Sequence, residues 1–216
     1  ITNPNDQYLF KNLLGDGSNI GVKFSYEIQN EPRGIAESFI IGEKFIGKKN
    51  VCLILGDNIF YGQGLKSKLN EAKKNNGATV FTYKVKNPNN YAVANYDQNV
   101  ITSIKEKPNN PQSNEAVTGM YFYDNKVIEI AKKIKPSARG ELEITSINNQ
   151  YIKKKSLSHI PFGRGLAWLD TGTEENLLEA SQFVRTIENR QGYKIACIEE
   201  IAFRNNWISS KQLRSL

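Results

Sequence analysis

Val51-Cys52-Leu53-Ile54-Leu55-Gly56-Asp57-Asn58 decides the fold: an apolar run of strand length that stops on a glycine, an aspartate and an asparagine. Such a run, with no polar alternation, reads as a strand covered on both faces, the usual state of strands in parallel α/β sheets. Ligands collect at the carboxyl ends of strands in open α/β sheets, which makes Asp57 a candidate site residue. Its carboxylate suits a hard metal ion. The same Asp-Asn pair suits an Asx turn capping the helix that begins near Leu65.

Upstream of this strand, Gly34 opens a helical pattern in which Ile35, Phe39 and Ile46 share a face. Before it, Val22 to Ile28 alternates like a strand, and Leu9 to Leu14 reads as a short helix closed by Gly15-Asp16-Gly17. Downstream, a helix from Leu65 to Lys74 leads to a strand from Thr79 to Val85, and this strand, helix, strand rhythm indicates a parallel sheet. Strand-like runs at Tyr91 to Tyr96, Val100 to Lys105 and Ala116 to Tyr123 follow without intervening helices, so an antiparallel portion is inserted. Helices are predicted at Lys126 to Ile134, Glu143 to Lys154 and Glu174 to Asn189, and strands at Leu157 to Phe162 and Leu166 to Leu169. No repeat or low-complexity linker interrupts the chain, and residues 1–216 read as a single Rossmann-like α/β domain with an inserted mixed sheet. The chain opens on Ile1 rather than Met, and Ile1-Thr2 reads like the end of a strand whose beginning lies upstream.

With 216 residues, 39% of them hydrophobic and 24% charged, the chain can bury one substantial core. No apolar run approaches the ~18 residues of a membrane span, and ITNPNDQYLF is no signal peptide, so a cytoplasmic protein that engages no membrane is expected. Cys52 and Cys197 each sit in apolar runs, the setting of buried free thiols in a reducing compartment. The net charge of +7 is scattered. Lys73-Lys74, Lys132-Lys133-Lys135 and Lys153-Lys154-Lys155 each close a predicted helix, where cations oppose the negative end of its dipole, and no basic stripe interleaved with aromatics offers itself to nucleic acid.

Four further stretches carry chemistry. Trp168-Leu-Asp-Thr-Gly-Thr173 repeats the apolar strand ending on an aspartate, so Asp170 and Asp57 could converge on one Mg²⁺, an ion that takes one or two carboxylates together with substrate phosphates; helix capping by Asp170, Thr171 or Thr173 is the plainer reading. Glu106-Lys107-Pro108 ends another strand and leaves Lys107 at the same rim, as a phosphate partner or simply a surface lysine. Arg139, in Arg139-Gly-Glu-Leu-Glu143, is placed either for bidentate phosphate contact or for an i,i+4 pair with Glu143. Gln29-Asn-Glu-Pro-Arg-Gly34 joins a strand to a helix, where the Gln29 amide matches a pyrimidine edge and Gly34 permits close approach, as it would in an empty turn. The lone His159 has no metal-binding neighbour in sequence and reads as structural.

Taken together and in the same order, Gln29–Ala36, Leu55–Gly62, Ile104–Pro108, Val117–Asn125, Arg139–Thr145 and Gly163–Thr173 resemble the glucose-1-phosphate thymidylyltransferases of the sugar nucleotidylyltransferase family. The resemblance covers nearly the whole chain. It implies the three-layer nucleotidyltransferase fold with a mixed, mostly parallel sheet, and in-line attack of glucose-1-phosphate on the α-phosphorus of dTTP to give dTDP-glucose and pyrophosphate, within dTDP-rhamnose and polysaccharide biosynthesis. It further implies that Asp57 and Asp170 bind Mg²⁺ and that Lys107 and Arg139 hold the sugar phosphate. Gln29, Pro32, Gly34 and Gly56 then belong to the nucleotide site, while Tyr91, Ala92, Glu106, Val117 and Trp168 line the glucose site. A homotetramer is implied as the assembly. Ala92 stands where the family carries glycine, narrowing the sugar pocket by a methyl group. Family members begin with a strand and a glycine-rich triphosphate loop that this sequence does not contain, so the chain as written is expected to be silent in turnover; the alternative is a non-catalytic subunit that binds sugar nucleotide or serves assembly.

Overall fold

The computed structural model describes residues 1–216, which divide into two compact units: residues 1–32 with 181–216, and residues 33–180. In chain order the elements are α1 (Gln7–Leu14), α2 (Glu37–Ile41), α3 (Glu43–Ile46), β1 (Val51–Ile54), β2 (Asn58–Gly62), α4 (Leu65–Ala72), β3 (Ala78–Lys84), β4 (Val93–Asp97), β5 (Val100–Lys105), β6 (Glu115–Tyr123), α5 (Val127–Ala131), α6 (Ile144–Lys153), β7 (Leu157–Pro161), β8 (Leu166–Asp170), α7 (Glu174–Gln191), α8 (Ile198–Arg204) and α9 (Ser210–Leu213).

The larger unit is built on a six-stranded sheet in which β6 lies between β1 and β3. β3 also pairs in parallel with β7, and β5 pairs with β4, which touches β6 at Val93 and Ala116. Because β1, β3 and β4 are each antiparallel to β6, four strands (β1, β3, β4, β7) point one way and β5 and β6 the other. The mostly parallel sheet expected from the sequence is thus a matter of strand direction; the reversal of β6 makes most hydrogen-bonded neighbours antiparallel. Alternation along β3 and β6 sends Val80, Tyr121 and Tyr123 to a core shared with α2, α3, α5 and α6. Phe81 and Met120 go to the opposite face, against Phe162, Leu166, Ala72 of α4 and Phe60 of β2. Two apolar layers therefore sandwich the sheet. Each fully buried aromatic or aliphatic side chain there contributes about 1.5–3 kcal/mol.

Three sequence expectations change in this unit. β1 is not covered on both faces: its burial alternates, Ile54 is 55% exposed and Cys52 is exposed, so the thiol expected to be buried is not. An apolar run identifies a strand, but only the neighbouring layers decide whether both of its faces find cover. The helix expected to run from Gly34 is two short helices that break at Gly42, the C-cap of α2 and the N-cap of α3; Phe39 and Ile46 are buried as expected, while Ile35 is exposed. Asp57 starts no helix. The chain turns there into β2, whose partner β8 lies over a hundred residues away, a pairing with no local signal.

In the smaller unit, Val22 to Ile28 is extended but forms no strand; its one ladder contact is the parallel bridge Thr2↔Ile28, held by Thr2 N–H to Glu27 O and Gln29 N–H to Thr2 O. Alternation needs a partner ladder to become a strand, and a single bridge does not supply one. Gly21 packs on Trp207, where a Cβ would lie 2.3 Å from the Trp207 carbonyl oxygen. Cys197 precedes α8 and is half-buried, its thiol 3.3 Å from the Glu199 carboxylate. The lysine runs close α4, α5 and α6, with Lys73, Lys132 and Lys154 as their C-caps. No helix is long and apolar enough to cross a membrane.

Candidate active site

β2 and β8 form a two-stranded antiparallel sheet in which Asn58 faces Asp170 and Phe60 faces Trp168. The crossing at its end is tight because Gly62 sits at φ 147°, where any Cβ would meet the Gly165 carbonyl at 2.3 Å. Thr171 ties the two aspartate loops together, donating from its N–H and its Oγ1 to the Asp57 carbonyl at 2.8 and 2.9 Å. The aspartates consequently converge on Gly172: a Cβ placed there would lie 3.1 Å from Asp170 Oδ1 and 3.8 Å from Asp57 Oδ2. Capping falls away for Asp57. Asp170 Oδ1 accepts from Gly172 N–H at 2.9 Å as an Asx-type turn, and the capping of α7 belongs to Thr173, whose Oγ1 accepts from Asn176 N–H.

These two carboxylates stand in a cleft entirely within the larger unit. Of the site residues read from sequence, the cleft brings together Asp57, Tyr91, Ala92, Glu106, Lys107, Val117, Arg139, Trp168 and Asp170. The groove beside Cys52 and Asn75, by contrast, has Lys73 as its one charged group.

Trp168, 8% exposed, forms the apolar wall, with Tyr91 tilted against it at 5.1 Å and Tyr83 edge-on at 6.0 Å between ring centroids. Burial, with Asp170 and Glu179 nearby, raises the Tyr91 phenol above its ordinary value. Complete burial, reinforced by Glu106 and Asp57, raises Tyr121 far above the phenol range, so both rings remain neutral O–H groups at neutral pH. Lys107 occupies the left-handed region at φ 37°, a conformation that costs a non-glycine residue about 1–3 kcal/mol, and its N–H donates to the Tyr91 carbonyl at 3.1 Å. That contact fixes the Glu106-Lys107-Pro108 turn to the aromatic wall.

Arg139 is ringed by carboxylates: Glu141 at 2.8 Å, Glu143 at 3.8 Å and Glu106 at 3.9 Å. Partial burial opposes its charge, but Glu143, Glu141 and Glu106 together outweigh that and hold the guanidinium above its ordinary pKa. The i,i+4 pair with Glu143 is present but long; the short contact is to Glu141, a partner the spacing argument passed over. Glu106 accepts from Thr145 Oγ1 at 2.6 Å and Glu143 from Ser137 Oγ at 2.9 Å, so two of the three acids are oriented from behind. Other cleft residues not read from sequence include Asn58, Asn90, Gly119, Tyr121 and Ile144. Asn58 stood in the quoted stretch; the sign of its role is a register that turns its amide inward.

Gly34 and Gly56, in the larger unit, do not line the cleft, and Gln29 and Pro32 belong to the smaller unit. Gly34 has a backbone reason for its identity: at φ 104° its Cβ would lie 2.5 Å from Leu142 O and 2.6 Å from Leu142 N. His159 is half-buried on β7, packs edge-on against Tyr96 at 5.2 Å, and has its pKa lowered by burial.

No group of three or more His, Cys, Asp and Glu side chains is placed to hold a metal ion. Two convergent carboxylates are what this cleft offers a cation, which matches a hard divalent ion that completes its coordination with substrate phosphates and water.

Against known proteins, the family model described as nucleotidyl transferase matches residues 1–187. A glucose-1-phosphate thymidylyltransferase of Neisseria meningitidis is 55% identical over 100% of this chain and 76% of its own length. One from Xanthomonas campestris pv. campestris is 50% identical over 100% of this chain and 74% of its own. Among solved structures, a Bacillus anthracis protein provisionally named glucose-1-phosphate thymidylyltransferase, in complex with a sucrose, superposes with a TM-score of 0.77 at 38% identity, covering 85% of this chain and 74% of that one. A UDP-glucose pyrophosphorylase complexed with UDP-glucose gives a TM-score of 0.70 at 26% identity over 83% of this chain and 73% of that one.

Proposed function

The chain belongs to the nucleotidyl transferase family, among its glucose-1-phosphate thymidylyltransferases, and on that premise we propose that its cleft joins glucose-1-phosphate to dTTP. A phosphate oxygen of the sugar phosphate attacks the α-phosphorus, the bond from that phosphorus to the bridging oxygen of the β-phosphate breaks, and pyrophosphate leaves with the electron pair. dTDP-glucose is the other product.

The observation that carries this reading is the meeting of Asp57 and Asp170 with Lys107, Arg139 and the Trp168 wall in one cleft. Lys107 and Arg139 hold the sugar phosphate, Arg139 by exchanging Glu141 for phosphate oxygens in the bidentate geometry a guanidinium favours. Tyr91 and Trp168 offer the flat apolar face on which a pyranose stacks, and Glu106 accepts from its hydroxyls. Val117 and Ala92 close the base of that pocket; the Ala92 methyl packs toward the main core. Asp57 and Asp170 hold a divalent cation, for which Mg²⁺ is our assignment. When bound, that ion neutralises the charge developing on the transferring phosphate. Positioning and charge compensation suffice for such a transfer. Gln29, Pro32, Gly34 and Gly56 fall to the nucleotide by motif resemblance, although packing on Leu142 alone accounts for glycine at position 34. A cytoplasmic homotetramer is the assembly we assign, and light scattering in solution tests it.

Pyrophosphate release by this chain with the family's glycine-rich triphosphate loop joined ahead of it, with dTTP, UTP or dGTP and each with and without glucose-1-phosphate, tests the activity. Release should require the sugar phosphate and favour dTTP. UTP should be a weaker but measurable substrate, since one methyl group discriminates by only about 1–3 kcal/mol. Release independent of glucose-1-phosphate would overturn the proposal.

A further inference from the structure

Asn58 holds a position that neither the motif nor the family assignment accounts for. Its Oδ1 accepts two hydrogen bonds, from Trp168 Nε1 at 2.6 Å and from Gly119 N–H at 3.0 Å. Its Nδ2 donates to Asp57 Oδ1 at 2.7 Å. These partners permit one amide orientation only: turned over, the NH₂ would face two N–H donors and the carbonyl would face a carboxylate. The seat is also close-fitting. A Cβ on Gly119 would lie 2.5 Å from Asn58 Oδ1 and 2.6 Å from its Cγ, so the amide rests on bare backbone of β6.

We infer that Asn58 is the positioning residue of the metal site, holding the Asp57 carboxylate by one oxygen and coupling it to the Trp168 indole that faces the sugar. The inference rests on the reading of Asp57 and Asp170 as cation ligands. Asp57 Oδ1 is engaged by the amide, which turns Oδ2, the oxygen nearer Gly172, toward the shared point with Asp170. A neutral amide does this without cancelling the charge of the carboxylate, as a lysine or arginine in its place would. Partners of this kind set the orientation of metal-binding carboxylates, and their loss typically weakens metal affinity about 10- to 100-fold. The anchors of Asn58 lie on two different strands, β6 and β8, so one side chain ties the metal-binding loop both to the central sheet and to the aromatic wall.

The test is a titration of the full chain with Mn²⁺ in the absence of substrates, followed by the electron paramagnetic resonance of the free ion, alongside thermal unfolding. Asp57→Asn should abolish specific binding. Asn58→Ala and Gly119→Ala should each weaken it about 10- to 100-fold, the second by displacing the Asn58 amide although it replaces neither a ligand nor Asn58 itself. Trp168→Phe, which removes one donor to Asn58, should weaken it less and in the same direction; together with Gly119→Ala it decides the matter should Asn58→Ala fail to fold. Mn²⁺ affinity within about two-fold of the parent in Gly119→Ala and Trp168→Phe, with binding lost in Asp57→Asn, would overturn the inference and make Asn58 a staple between strands, even if unfolding temperatures fell. Equal binding by the parent and Asp57→Asn would instead remove the two-aspartate site, and this inference with it.

Discussion

Replacing Gly34 by alanine separates a packing requirement from a ligand contact. Gly34 lies at φ 104°, outside the range of ordinary L residues, and its missing Cβ would sit 2.5 Å from the carbonyl oxygen and 2.6 Å from the nitrogen of Leu142. Both are backbone atoms and cannot swing aside. The Leu142 segment is held there by two hydrogen bonds, Leu142 N–H to Arg33 O at 2.7 Å and Ala36 N–H to Leu142 O at 3.1 Å. Backbone strain of about 1–3 kcal/mol, with both bonds lost at about 0.5–1.5 kcal/mol each, makes Gly34→Ala destabilising by about 2 to 6 kcal/mol. At about 2–4 °C per kcal/mol for a chain of this size, Tm should fall by roughly 4 to 24 °C. Leu142 lies three residues beyond Arg139, so the same displacement should raise the KM for glucose-1-phosphate. Circular dichroism melts of the ligand-free protein and KM values for both substrates provide the measurement. A Tm within about 1 °C of the parent, with only the KM for dTTP raised, would refute the packing argument and return Gly34 to the nucleotide site.

In the protein carrying the family's triphosphate loop, Asp57→Asn and Asp170→Asn should each lower kcat by at least about a hundred-fold with the fold intact, since a metal clamp supplies several kcal/mol and each 1.4 kcal/mol is about ten-fold; near-normal turnover in either properly folded variant would reject the site. Glu141→Gln frees Arg139 from its closest carboxylate, and because Arg139 is 46% exposed the pair is worth at most about 1 kcal/mol, so the KM for glucose-1-phosphate should fall about two- to five-fold. An unchanged or higher KM would mean that Glu141 orients Arg139 rather than competing for it. His159 has a folded-state pKa depressed by burial, below its ordinary 6.5, so its contribution to stability is full above pH 6.5 and declines as pH falls through the folded value. His159→Gln should flatten the stability profile in that acidic window and leave it unchanged at pH 8; since His159 is the chain's one histidine, NMR titration reads its pKa without assignment.

Much of this architecture was legible locally. The strand-like runs Thr79 to Val85 and Ala116 to Tyr123 carried the central strands because short apolar, β-branched and aromatic runs suit strands buried on both faces. Lysines at the ends of α4, α5 and α6 marked helix ends through a dipole that acts within one turn. Residue chemistry alone offered Asp57, Lys107, Arg139 and Asp170 as candidates, because strand ends and glycine turns are where a sheet presents ligands, while Glu106 came with the family resemblance and Glu141 and Glu143 joined the cleft only in the structure.

What remained for the tertiary structure was every decision that depends on a distant partner. The alternation of Val22 to Ile28 could not say that its ladder would amount to one bridge at Thr2, nor could the apolar run of β1 say that Cys52 and Ile54 would lie exposed. β2 has no signal of its own, because Asn58 to Gly62 becomes a strand only when Leu166 to Asp170 lies beside it. The same pairing brings Asp170 opposite Asn58, sets the Trp168 indole on the Asn58 amide and aims that amide at Asp57. Sequence determines which groups are available and which way each faces along its own strand. Hydrogen bonds and van der Waals contacts reach only a few ångströms, so which groups meet is decided when the folded chain brings remote segments within that distance.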